Sequence, residues 1–389
     1  MKRCTGRYER TAVAGEAVDA FVPDPLPPTA PALRIDTKVA ARLALAEEAL
    51  GRLDQATEFV PSLDWFLYAF VRKEAVISSQ IEGTQATLVD LLRFESDAES
   101  PSAKPPNADV QEVCNHLAAF AYARREISGP KGLPISVRLL NEVHRRLMRG
   151  VRRANKQPGK VRRSQNWIGG SRPGNASFVP PPQHLLHDLL HDLEVYLHAE
   201  STLPPLVRAG LIHVQFETIH PYLDGNGRIG RLLVTLLLEK WELLRAPLLY
   251  LSLHFKRHRA EYYRRLDAVR VEGDWEGWLD FFLDGVATIA GEASATVREL
   301  SRMVEEDRER ILGTEAASVA ALRLFDALPD HPVVTAKSAM RLLGASKPTA
   351  GRAIDSLVSA GVLVESSGRK RDRWFAYGRY LDRLRAGTE

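Results

Sequence analysis

Between residues 220 and 231 the chain reads His220-Pro221-Tyr222-Leu223-Asp224-Gly225-Asn226-Gly227-Arg228-Ile229-Gly230-Arg231. A histidine, a carboxylate, a glycine-rich turn and two arginines stand at the mouth of an apolar stretch, Ile229 to Leu244, whose spacing is helical. Gly225 and Gly227 permit the tight backbone that turns successive N–H groups into one concavity, a nest for anions. A helix opening from that nest adds a dipole that favours phosphate. Asp224 supplies a hard oxygen ligand for a divalent cation such as Mg²⁺. Arg228 offers a planar fork for phosphate oxygens, and His220 has an ordinary pKa suited to proton removal near neutrality. An Asp-Gly-Asn-Gly-Arg run alone is a common turn or helix entry. The His-Pro before it and the arginines on successive turns after it set this one apart.

These residues resemble the signature of Fic-domain proteins, His-Pro-Phe-x-(Asp/Glu)-Gly-Asn-Gly-Arg-x-x-Arg, with Tyr222 where Phe is usual. The resemblance implies a protein adenylyltransferase, which moves AMP from ATP to a Ser, Thr or Tyr hydroxyl of a target protein, itself included. Carried over to this chain, His220 deprotonates the hydroxyl and Asp224 binds Mg²⁺. Asn226 and the backbone of Gly225 and Gly227 cradle the α-phosphate and Arg228 holds the outer phosphates. Ile229, Gly230 and Arg231 complete the nucleotide-binding run.

Three further segments are similar to family elements. Ser78-Ser79-Gln80-Ile81-Glu82-Gly83 resembles the inhibitory motif (Ser/Thr)-x-x-x-Glu-(Gly/Asn), on an amphipathic run from Phe70 to Leu92 that Gly83 ends or kinks. On spacing alone Glu82 reads as a solvated helix residue. By resemblance it pairs with Arg231, occupying a guanidinium and repelling the γ-phosphate. Arg162 to Ser171 has a hairpin pattern and resembles the Fic flap, in which Trp167, Ile168, Gly169 and Gly170 line up a target segment by strand addition. Glu261-Tyr262-Tyr263 resembles the adenine-side segment and makes Tyr262 a nucleotide-pocket candidate.

The elements that must position these residues follow from composition and breaks. The chain has 389 residues, 45% hydrophobic and 26% charged, which suits two or three globular domains. Cys4 and Cys114 are too few for a disulfide framework or a thiolate metal cluster. No apolar run suits a membrane span and no secretory signal follows Met1, so a cytoplasmic chain is expected. Long periodic stretches of Ala, Leu, Arg and Glu predict a mainly α fold. Residues 1–107 read as a proline-rich arm (to residue 34) followed by helices from Thr37 to Leu53 and from Asp64 to Phe94. The Fic helical bundle is expected over 108–290, with the small β-hairpin flap. His184, His187 and His191 lie along one helix side but read as a solvated face, and His213 as a hydrogen-bonded core residue.

Residues 291–389 read as a connector helix and a separate module. Helices over 318–328, 335–343 and 347–360 have helix-turn-helix spacing, and strands over 362–365 and 374–377 flank a basic stretch, Ser366 to Arg373. The module resembles a winged helix. Residues 337–389 hold 11 Lys/Arg against 5 Asp/Glu, an excess that suits phosphate contacts. DNA and protein docking both remain open on these grounds. Two other functions stay beside adenylyl transfer: a DNA-binding regulator whose Fic domain senses nucleotide or is vestigial, and a hydrolase that removes AMP with Glu82 orienting water. Family resemblance also makes a homodimer an expectation.

Overall fold

The computed structural model describes residues 3–59, 62–97, 105–129, 131–150, 156–314, 317–369 and 372–389. In chain order the elements are β1 (Gly6–Val13), β2 (Glu16–Pro23), α1 (Thr37–Ala56), α2 (Leu63–Ile81), α3 (Leu88–Asp97), α4 (Ala108–Ile127) and α5 (Val137–Leu147). Then come α6 (Leu186–His198), α7 (Pro205–Ile219), α8 (Asn226–Lys240), α9 (Ser252–Arg257), α10 (Arg259–Glu272) and α11 (Trp275–Leu312). The remainder is α12 (Val319–Ala327), β3 (Val333–Thr335), α13 (Ala336–Leu343), α14 (Lys347–Ser359), β4 (Leu363–Glu365), β5 (Trp374–Tyr377) and α15 (Gly378–Arg385). The fold is mainly helical, as the periodicity predicts. No helix among the described residues is long and apolar enough to cross a membrane.

The chain forms two compact units. One comprises 1–51, 115–247 and 251–290; the other comprises 52–114, 248–250 and 291–389. Sequence breaks suggested a divide at 107, with everything before it in one region. Instead, the segment holding α2 and α3 belongs with the last hundred residues.

In the first unit α7 and α8 form the central pair. Helix α7 is buried around nearly its whole circumference, from Leu206 to Ile219, as expected of a helix with apolar residues on every side. Pro204 and Pro205 start it, where a missing N–H costs nothing. Residues 6–23, expected as an extended arm, form an antiparallel hairpin instead, with Val13 opposite Glu16. Ala14 and Gly15 both take positive φ (49° and 84°), the two-residue turn whose twist matches paired strands. The prolines that suggested an arm begin at Pro23, where β2 ends, so they mark the strand's boundary. Arg3 secures the hairpin's entry by donating to the Gly273 carbonyl and pairing with both Glu276 oxygens at 2.7 Å.

In the second unit, the helix expected over Asp64 to Phe94 is two helices. Gly83, at φ 102°, ends α2, and a short non-helical link precedes α3. The C-terminal helices fall where the pattern put them, capped by Ser318 and Thr335, each accepting an N–H three residues on. Strands β4 and β5 match the expected pair, and β3, three residues long and missed by the pattern, joins β5 to give an antiparallel sheet in the order β3-β5-β4. Lys370 and Arg371 of the expected basic wing lie outside the described residues.

Candidate active site

Helix α7 stops at His220 because the backbone there turns left-handed, at φ 49° and ψ 60°. A non-glycine residue holds that conformation only when its surroundings enforce it. The His220 N–H closes on the Phe216 carbonyl, and the Arg162 side chain donates to the His220 carbonyl at 3.0 Å. The Arg162 backbone N–H donates to the Pro221 carbonyl at 2.9 Å. The Arg162 guanidinium, 1% exposed, also reaches the carbonyls of Ser164 and Pro181. Burial lowers its pKa to about 10, so it stays a cation at neutral pH, solvated by carbonyl dipoles. His220 Nδ1 lies 3.3 Å from the Glu217 carbonyl, which can only accept. The proton therefore sits on Nδ1 and the lone pair on Nε2, the tautomer a general base needs.

From Tyr222 to Asn226 the loop is fixed by its own side chains. Asn226 Oδ1 accepts the Tyr222 N–H and Asn226 Nδ2 donates to the Tyr222 carbonyl, both at 2.8 Å. Both ends of that amide are thus committed to the turn. Gly225, at φ 81°, precedes α8; a Cβ there would meet Met148 Sδ at 3.1 Å. First-turn N–H groups have no intrahelical acceptor, so the start of α8 is an anion-binding feature. Asp224 Oδ1 accepts the Gly225 N–H at 2.7 Å and lies 3.6 Å from Arg228. Among the described residues no three His, Cys, Asp or Glu side chains group as metal ligands. A single carboxylate suits Mg²⁺, which keeps waters and takes substrate phosphates as its other ligands.

Helix α5 supplies an anchor the sequence reading missed. The His144 imidazole stacks on Tyr222, with centroids 3.9 Å apart and planes 6° from parallel. Its Nδ1 accepts the Gly159 N–H at 2.9 Å, so its Nε2 carries the proton and donates to the Asp224 carbonyl at 3.0 Å. Burial lowers the His144 pKa to about 4 and the Arg228 charge adds to this, which keeps the ring neutral. The Tyr222 hydroxyl donates to Asn141 Oδ1 at 2.9 Å. The tyrosine's extra oxygen therefore has a partner on the same helix.

Arg228 and Arg231 are each 3% exposed, on successive turns of α8. Two buried histidines feel their charge. His116 on α4 and His213 on α7 are both lowered to about 3, by desolvation first, with Arg228 and Arg231 adding to this at His116 and Arg231 alone at His213. His213 meets the Tyr262 hydroxyl through Nε2 at 2.9 Å, as expected of a hydrogen-bonded core residue. Tyr262 is 1% exposed and stacks on Phe255, so its ring belongs to the aromatic core behind α7 and its hydroxyl is engaged by His213. Gly230 lets α8 approach α7: a Cβ there would lie 2.3 Å from Glu217 Oε1.

The flap differs from its expected form. A hairpin confined to 162–171 is not what forms. Ile168 pairs instead with Phe178, exchanging N–H···O bonds of 2.8 and 3.1 Å across a loop that holds Gly169 and Gly170. Both glycines are left-handed, at 68° and 70°, with Ser177 and Asn175 where a Cβ would project. Trp167 packs on the apolar cluster of Val13, Val18, Ala20 and Val179 beneath the N-terminal hairpin. Asn166 donates to the Tyr222 carbonyl at 3.2 Å, tying the flap to the motif loop.

The chain's residues 134–238, which include this loop, the flap and α5 to most of α8, match the Fic/DOC family, and residues 40–125 match the Fic/DOC family N-terminal region. The chain carries a Fic domain. The protein adenylyltransferase Fic of Drosophila erecta is 34% identical over 156 residues, 39% of this chain and 28% of that protein. The protein adenylyltransferase Fic of Culex quinquefasciatus is 33% identical over 243 residues, 61% of this chain and 45% of that protein. The chain thus spans less than half the length of either relative. A Fic family protein from Desulfovibrio desulfuricans G20 shares the fold, with a TM-score of 0.55 and 22% identity over 88% of this chain and 97% of that one. So does a Fic domain containing signaling protein from Bacteroides thetaiotaomicron, with a TM-score of 0.51 and 18% identity over 67% and 98%. In this Fic domain the signature residues follow one another from the end of α7 into α8: His220, Asp224 and Gly225 on the connection, and Asn226, Gly227, Arg228 and Arg231 on the first turns of α8. Glu82 is an exposed residue at the end of α2, in the other unit.

Proposed function

We propose that the protein is an adenylyltransferase, transferring AMP from ATP to a Ser, Thr or Tyr hydroxyl of a protein target. The observation that carries this reading is the left-handed His220, with Nδ1 directed at a carbonyl, six residues before the first residue of α8. A base and an anion site are thereby held on one short connection. His220 Nε2 takes the hydroxyl proton, the oxygen bonds to the α-phosphorus, and the Pα–O bond to pyrophosphate breaks. First-turn N–H groups of α8 receive the α-phosphate, and Arg228 the outer phosphates. Asp224 would hold Mg²⁺, which offsets phosphate charge when bound. The relatives named protein adenylyltransferase support the same reaction. Trp167 to Gly170 would line up the target's backbone along the flap.

In this reading Glu82 is inhibitory: its carboxylate pairs with Arg231 and excludes the γ-phosphate. The test is incubation of the Glu82→Gly protein with Mg-ATP, followed by mass spectrometry of the protein and of a lysate. AMP adducts that vanish in the Glu82→Gly, His220→Ala double variant are expected. Absence of any adduct from a folded Glu82→Gly protein would sink the proposal.

A second reading, DNA binding, draws on a different surface. Helix α14 exposes Ser346, Lys347 and Arg352 at its start, and α13 exposes Lys337 and Arg341. Glu365, the acid beside the wing, is taken up by the N–H groups of Ser367 and Gly368. A basic helix face with short side chains at its tip suits a phosphate-lined groove.

A further inference from the structure

Glu82 belongs to the same compact unit as the C-terminal module, and α2 is tied to that module along its length. Near its start, Tyr68 meets His331 edge to face, with centroids 6.1 Å apart. In its first half, Arg72 lies flat on Tyr68 and grips Glu95 of α3 with two nitrogens, at 2.8 and 2.9 Å. Helix α3 carries that hold to the sheet, where the Arg93 guanidinium covers Trp374 of β5 at 3.8 Å. At the end of α2, Gln80 Nε2 donates to the carbonyls of Ala86 and Thr388, both at 2.9 Å.

The last turn is stiff as well as tethered. The N–H groups of Glu82 and Thr84 close on the Ser79 carbonyl, and that of Gly83 closes on the Gln80 carbonyl. Ser78 and Ser79 are fully buried. The Glu82 backbone is therefore set by the same residues that set Gln80, and Gln80 is set by the C-terminal module. A displacement of β5 or α15 against α2 has to move Glu82 or break these interactions.

We propose that the C-terminal module is the regulatory handle of Glu82, so that whatever the module binds adjusts the inhibition. The proposal rests on the reading of Glu82 as inhibitory. By linkage, nucleotide and module ligand affect each other's binding by the same factor.

The test is a double-mutant cycle on the full chain. Trp374→Leu and Gln80→Met each loosen the tether without touching the Fic signature. Each is expected to raise AMP labelling about fivefold or more when Glu82 is present. Neither should raise it further in the Glu82→Gly protein. Hydrogen exchange in Trp374→Leu, with Glu82 intact, should quicken at Gly83 and Thr84. Equal gains in both backgrounds, or no gain in either while Glu82→Gly is active, overturn the coupling, as does unchanged exchange at the end of α2. If Glu82→Gly alone does not raise labelling, the inhibitory reading itself fails and takes the coupling with it. That failure shows in the single variant before any tethering residue is changed.

Discussion

His144 lies flat on Tyr222, and the same imidazole donates to the carbonyl of Asp224, so one side chain of α5 fixes two points of the motif loop. Tyrosine replaces the usual phenylalanine here, and its hydroxyl reaches Asn141 one turn away on that helix. Ring, hydroxyl and carbonyl are held from one side. The residues that keep the loop in place are thus distinct from the signature residues that the proposed function assigns to phosphate.

Tyr222→Phe should cost about 1 kcal/mol of stability, the net worth of one hydrogen bond, and leave AMP transfer nearly intact. His144→Ala removes a stacked ring and the donor to Asp224 together, and is expected to cost about 2–4 kcal/mol and to lower labelling at fixed Mg-ATP more steeply. Urea unfolding and labelling rates of the two variants check this. Equal effects would show that the imidazole adds nothing to the loop.

Gly230→Ala is expected to be severe for so small a change. Its Cβ would lie 2.3 Å from Glu217 Oε1, which forces α8 away from α7 or turns a buried carboxylate. A loss of about 2–3 kcal/mol is expected, within the usual range for overpacking. A thermal midpoint matching the parent protein would contradict the close approach.

Acid should destabilise the first unit before its carboxylates titrate. His116 and His213 have pKa values of about 3 in the folded chain against an ordinary 6.5. Below that ordinary value the unfolded chain takes up a proton at each site that the folded chain does not. Stability is therefore full above about pH 6.5 and falls toward pH 3, by up to about 1.4 kcal/mol per pH unit for each histidine. Urea midpoints between about pH 7 and pH 5 test this. A flat profile would mean that both rings accept protons without unfolding.

If the C-terminal module binds DNA, Lys347→Ala and Arg352→Ala should weaken binding across sequences. For each phosphate that a variant no longer neutralises, the log–log salt dependence should also flatten by about 0.9. Fluorescence anisotropy over a salt series reads both. Unchanged affinity in the double variant would move the DNA-binding surface away from α14.

The site was legible in the sequence where chemistry and turn geometry coincide. His220 to Arg231 could be read because glycines, a carboxylate and arginines at that spacing have few other uses, and the helices over 318–328 and 335–343 showed in their apolar spacing. What stayed hidden depends on approach in three dimensions. His144 and Arg162 sit 80 and 58 residues from the backbone they hold, and nothing in their local pattern distinguishes them from other helix or loop residues. The N-terminal hairpin was masked by nearby prolines, and β3 is too short to show alternation. The grouping of α2 with the C-terminal module has no local signal either, since it rests on long-range pairs such as Gln80 with Thr388.

That last pair is separated by 308 residues. On a ribosome adding about 5–20 residues per second, roughly 15–60 s pass between the synthesis of Gln80 and that of its partner. All of the Fic signature emerges within this interval. A nascent chain therefore has residues 220–231 before the helix carrying Glu82 has the neighbour that steadies it. Under the proposed inhibitory role of Glu82, order of birth as well as final geometry sets when restraint begins.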